Sequence, residues 1–131
     1  NSRQAVSVER NIRGLNFSIS IIDYGGEDEL GFSKALGLAE DLVSQKNSAR
    51  LLMAISTVIH SNRFPGGSDY GLLYRSYAYE QLGKPLKEVA LPLKRIVSCY
   101  KYWQSTAPER NLPIHDEIVK RAQGRLATLI F

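Results

Sequence analysis

Residues 70–103 read YGLLYRSYAYEQLGKPLKEVALPLKRIVSCYKYW, and the fold turns on Gly83-Lys84-Pro85 in the middle of that stretch. Upstream, Leu72 or Leu73, Ser76, Tyr79 and Leu82 or Gly83 recur at spacings of three and four, the period of a helix with one packed face. Downstream, Leu86, Val89, Ala90, Leu93, Ile96, Val97, Tyr100 and Trp103 hold a single helical face. Gly83 stands where a helix end calls for a left-handed residue, and Pro85 where a new helix tolerates a missing N–H. Asp69 can accept N–H bonds from the first turn of the upstream arm. Together these signals predict a tight helical hairpin. Pro92 falls off the apolar face and predicts a kink in a continuous second arm. The alternative is a helix that starts near Pro92, with residues 86–91 forming a shorter turn.

Working outward, residues 27–46 open on Glu27-Asp28-Glu29, which suits the positive end of a helix. Phe32, Ala35, Leu36, Ala39, Leu42 and Val43 then make an apolar face. Asn47 or Ser48 can cap a following helix, whose Leu51, Leu52, Ile55, Val58 and Ile59 are periodic to about His60. That pair predicts another hairpin, and residues 63–68 (RFPGGS) read as the loop between the two. On the C-terminal side, Ser105–Pro113 reads as a loop. Ile114, Ile118, Ala122, Leu126, Leu129 and Ile130 predict a closing helix, with Asp116–Lys120 and Glu117–Arg121 as favourable i,i+4 pairs.

Residues 1–26 read two ways. Leu15, Phe17, Ile19 and Ile21 alternate with polar residues, as in a half-buried strand, and Gln4–Val8 offers it a partner. Val8, Ile12, Leu15, Ile19 and Ile22 also fall at helical spacing. A two-stranded sheet is marginal by itself, so the reading leans to a helix ending at Gly25-Gly26. The expected fold is all-α: a single domain over residues 1–131, of five or six helices in stacked antiparallel hairpins.

The hairpin resembles a tetratricopeptide repeat in the stretch YRSYAYEQLG and the amphipathic segment after it. Ser76 stands at the family's small position, Tyr79 at its aromatic position and Gly83 at its turn. Ala39 and Leu42 hold the corresponding places in the earlier hairpin. The likeness covers about half the chain, and it departs from the family in one residue inserted after Gly83 and in Pro92. It implies a short TPR-like solenoid whose concave groove binds a peptide or helical partner through Tyr70, Leu73, Tyr77 and Glu80.

Charge points to a second surface. The net charge is +4, and the excess is C-terminal: residues 84–131 carry nine basic and four acidic residues, while residues 1–66 carry seven of each. Lys87, Lys94 and Lys101 are seven apart, with Arg95 beside them and Tyr100, Tyr102 and Trp103 at the end of the stripe. Such a stripe suits an acidic peptide, an anionic surface or a nucleic-acid backbone.

Nothing in the spacing of Cys99, His60 and His115, the single cysteine and the two histidines, marks a catalytic or metal centre. No cofactor is expected. No apolar run reaches membrane-span length, and no signal-peptide pattern opens the chain. The expectation is therefore a non-enzymatic adaptor or scaffold, soluble and intracellular, most simply cytoplasmic. Its partner is a protein or peptide, with homo-oligomerisation as a further source of affinity. The alternative is a nucleic-acid- or anionic-surface-binding helical domain that uses the basic stripe.

Overall fold

The computed structural model describes residues 5–12, 15–22, 29–62 and 64–129. From Glu29 onward the described chain is all-α. Helices α1 (Glu29–Gln45), α2 (Ala49–His60), α3 (Gly67–Gln81), α4 (Leu86–Thr106) and α5 (Pro113–Thr128) follow one another, with a 3-10 turn over Pro108–Arg110. Each helix packs against the next, α2 against α3 most extensively. The lean toward an N-terminal helix is corrected. Strands β1 (Ala5–Ile12) and β2 (Leu15–Ile22) pair antiparallel, with Val6 opposite Ile21 and Val8 opposite Ile19. The β-branched residues recur with period two, which suits a pleated ladder better than a helix turn. The expected Gly25-Gly26 terminator, Glu27-Asp28, Arg63 and Ile130 lie outside the described residues.

Gly83 closes α3 as its position demands. Its φ is +77°, its N–H donates to the Glu80 carbonyl at 3.0 Å, and the Lys84 N–H donates to the Tyr79 carbonyl at 3.1 Å. Those two bonds form a complete Schellman closure, a geometry that glycine adopts without a Cβ penalty. Pro85 then begins α4 from an extended conformation, its carbonyl accepting the N–H groups of Glu88 and Val89.

One helix runs from Leu86 through Pro92 to Thr106, so periodicity carries across the proline. Two details differ from the sequence reading of this arm. Pro92 is buried, and Leu86 is 44% exposed. Asp69 is not the cap of α3 either. Gly66, at φ +85°, holds that place, and Asp69 sits in the first turn.

Leu73, Tyr74 and Ala78 of α3 lie in the middle of the core, among Ala39 and Leu42 of α1, Leu52 and Ile55 of α2, Val89 and Leu93 of α4, and Ile118 and Ala122 of α5. Gly71 sets the distance between α2 and α3. A Cβ there would come within 2.3–2.4 Å of the His60 Cβ and Cα, so the two backbones cross where only glycine fits. The Gln81 side chain ties the two hairpins together. Its amide donates to the Leu42 carbonyl at 3.0 Å, and its oxygen accepts the Ser48 N–H at 3.2 Å. Both backbone groups lie at the α1–α2 turn, where helix ends leave donors and acceptors unmet.

Candidate functional site

Helix α3 presents different chemistry to its two sides. Toward α1 and α5 it presents Tyr74, Ser76, Tyr77 and Glu80, and all four are engaged. The Tyr74 hydroxyl donates to Glu40, whose same oxygen accepts Arg121 Nη1 at 3.0 Å. Burial and that bond to a carboxylate push the Tyr74 hydroxyl well above the usual tyrosine range. Burial works against the Arg121 charge, but Glu40 overrides it and holds the guanidinium above its ordinary value.

One turn further along, Arg125 sits over the Tyr77 ring, its Cζ 3.8 Å from the centroid. Its Nε donates to Ser76 Oγ at 3.1 Å, and its Nη2 reaches Glu80 at 3.2 Å. Ser76 is fully buried and donates in turn to the Val89 carbonyl at 2.7 Å, joining α3, α4 and α5 at one small residue.

That network decides the fate of the expected partner groove. Leu73 is 0% exposed and Tyr70 is 8% exposed, stacked on Tyr74 with ring centroids 6.0 Å apart. Both are core residues, because α1 and α5 pack over the side of α3 that the repeat resemblance leaves open. Burial, with Glu117 and Glu40 nearby, also raises the Tyr70 pKa. Tyr77 and Glu80 remain reachable and line a cleft of about 420 Å³ with Val43, Lys46 and Gln81. The structure thus separates the four expected residues into two in the core and two on a cleft.

The other side of α3 is open. Between α3 and α4 lies a groove of about 470 Å³ with an apolar floor of Leu72, Tyr79, Leu91 and Pro92. Leu91 is 57% exposed, the most of any leucine described. Arg75, Lys94, Arg95 and Ser98 complete the described lining, and none of the described lining residues is acidic. Arg75 Nε is shut off from solvent and meets no hydrogen-bond acceptor.

All four residues of the expected basic stripe are exposed on α4, but only Lys94 and Arg95 reach the groove; Lys87 and Lys101 lie beyond it. The aromatic cluster at the end of the stripe is largely committed. Tyr100 donates to Asp116, the Trp103 ring is covered by Arg110 at 3.8 Å, and only Tyr102 stands out, at 57% exposed. Arg75 was missed in the sequence. Its signal was there: Leu72, Arg75 and Tyr79 share one helical stripe, which becomes meaningful once Leu91 is seen across from it.

A third hollow, about 270 Å³, brings together Cys99, His115 and Asp69, with Tyr100, Trp103 and Arg110 around them. His115 Nδ1 accepts the Leu112 N–H at 2.9 Å, so a neutral ring carries its proton on Nε2 and offers no lone pair there. His60 Nδ1 donates to the Ser68 carbonyl at 2.9 Å. Burial raises the Asp69 pKa, with His115 and His60 opposing that rise. Among the described residues no group of three or more histidine, cysteine or acidic side chains is placed to hold a metal. No described helix is long and apolar enough to cross a membrane. No known protein family, curated protein or solved structure matches the chain.

Proposed function

We propose that this chain is a non-enzymatic interaction module whose α3–α4 groove receives a peptide segment of a partner protein. One observation carries the reading: an open groove with an apolar floor, 57% of Leu91 left in water, and a basic rim. Concave sites that combine apolar surface with a few polar groups are where proteins take ligands. The TPR-like reading belongs to the same proposal. Ser76 at the tight helix crossing and Gly83 at the closed turn support it, although the groove used lies on the α4 side of α3. The non-enzymatic part draws on His115, whose Nδ1 already accepts the Leu112 N–H and is not free to take a proton from Cys99. A single exposed cysteine suits the reducing interior of a cell.

Selection of short random peptides on the immobilised chain tests this. Enriched peptides should lose binding to Leu91→Ser, a change at an exposed position that leaves the helical circular dichroism intact. Enriched peptides that bind Leu91→Ser unchanged would refute the groove. A second reading, nucleic-acid or anionic-surface binding, draws on the exposure of Lys87, Lys94, Arg95 and Lys101 along α4. Its signature is a steep loss of oligonucleotide binding between about 50 and 200 mM salt, abolished by Lys94→Glu with Lys101→Glu.

A further inference from the structure

We infer that the groove selects an acidic segment, and that Arg75 reads its carboxylate while Leu72, Leu91 and Pro92 seat a neighbouring apolar side chain. The inference rests on the groove being the binding site, and it adds the ligand's chemistry and the residue that recognises it.

Arg75 and Arg125 lie on different sides of α3 and stand in opposite states. Arg125 has acceptors in Ser76 and Glu80 and an aromatic face under it. Arg75 lines the groove with its Nε shielded from water and without an acceptor. A buried donor left unmet is costly, and a guanidinium fork fits a carboxylate through two parallel bonds. An arriving carboxylate therefore lets the side chain turn outward and exchange an unmet donor for a charge-assisted pair. The rest of the described lining agrees in sign: Arg95 and Lys94 are basic, and none of the described lining residues is acidic.

The apolar floor distinguishes this ligand from a nucleic-acid strand. A phosphodiester backbone has nothing to bury on Leu91 and Pro92, and single strands also need free aromatic faces for stacking. Among the described lining residues the aromatic one is Tyr79, whose ring lies 5.5 Å from Lys84 Nζ, and the exposed Tyr102 is not part of the lining. An acidic residue close to an aliphatic or aromatic one matches both halves of the groove.

The peptide selection on the full chain provides the test when it is read for composition and repeated on Arg75→Gln and Arg95→Glu. The enriched sequences should pair aspartate or glutamate with a nearby large apolar residue. Synthetic copies with glutamine and asparagine in place of the acids should bind at least about tenfold more weakly. Arg75→Gln should erase that difference while still binding the amide copy, and Arg95→Glu should weaken the acidic copy through charge alone. Leu91-dependent peptides without acidic enrichment, or a preference that survives Arg75→Gln, would overturn the inference and leave the groove standing. Failure to enrich any peptide would overturn both. Should Arg75→Gln lose helical content, the acid-to-amide ratio on Arg95→Glu decides, since a ratio unchanged there rejects the charge argument. A labelled oligonucleotide that displaces the acidic peptide and depends on Arg75 would reassign the site to nucleic acid.

Discussion

The two arginines of the α3 neighbourhood show how similar chemistry becomes scaffold on one side of a helix and a reading head on the other. Arg125 approaches from α5, finds Ser76, Tyr77 and Glu80 waiting, and keeps a side chain only 9% exposed. Arg75 lines the α3–α4 groove together with Leu72, Leu91, Pro92 and Arg95, and its Nε meets no acceptor. A charge whose donors are met at burial contributes to stability, whereas one left unmet costs stability and gains from a ligand. The side of α3 that sequence resemblance marks for a partner is the saturated one. The side left unfinished is the one we assign to binding.

Disturbing the packed surroundings of α3 should cost most where backbones touch, at its crossing with α2. Gly71→Ala forces a Cβ against the His60 backbone and is expected to lower unfolding free energy by about 3 kcal/mol, read from urea midpoints. Arg125→Met removes the bonds to Ser76 and Glu80 and leaves Ser76 underbonded, an expected loss of about 2 kcal/mol. A loss no larger than that of an exposed arginine would mean the α5 contact is incidental.

Tyr74→Phe should cost about 1 kcal/mol, because Glu40 keeps Arg121. It also carries a pH signature. The folded Tyr74 hydroxyl holds its proton above the unfolded value of 10.0, so its contribution is fully present below that pH. The contribution declines as pH rises beyond it, where the unfolded chain ionises first. Urea midpoints taken through the alkaline range should fall more steeply in wild type than in Tyr74→Phe.

Glu80→Gln should change little, about 0.5 kcal/mol, since Glu80 is 51% exposed and its pairing is solvent-screened. The sharpest contrast comes at the small end. Arg75→Met is expected to leave stability within about 0.5 kcal/mol of wild type or to raise it, because it deletes an unmet donor. Thermal unfolding of Arg75→Met beside Arg125→Met tests the comparison directly, and equal losses would dissolve it.

Much of the helical body was legible residue by residue. Gly83 and Pro85 marked the hairpin, and Ala35, Ala39, Leu42, Leu52, Ile55, Val89, Leu93 and Ile96 proved buried where periodicity put them. Residues 5–22 were misjudged because their apolar residues satisfy both periods, and strand pairing depends on a partner segment that propensity does not rank. Tyr70 and Leu73, which the repeat resemblance puts on a concave groove, are buried, because an amphipathic stripe does not say which helix will cover it. Arg75 went unseen because it looked like any solvated charge on a helix.

The sequence by itself determined where α3 ends and α4 begins and which stripe of each helix is apolar, because glycine conformation and 3.6-residue periodicity act within one or two turns. The tertiary structure alone decided which polar groups are met. The bonds that do so join Tyr74 to Glu40, Arg125 to Ser76 and Arg121 to Glu40, partners 34, 49 and 81 residues apart. At such separations, contact depends on how the helices stack, and so the line between a finished face and an open one exists only once they have done so.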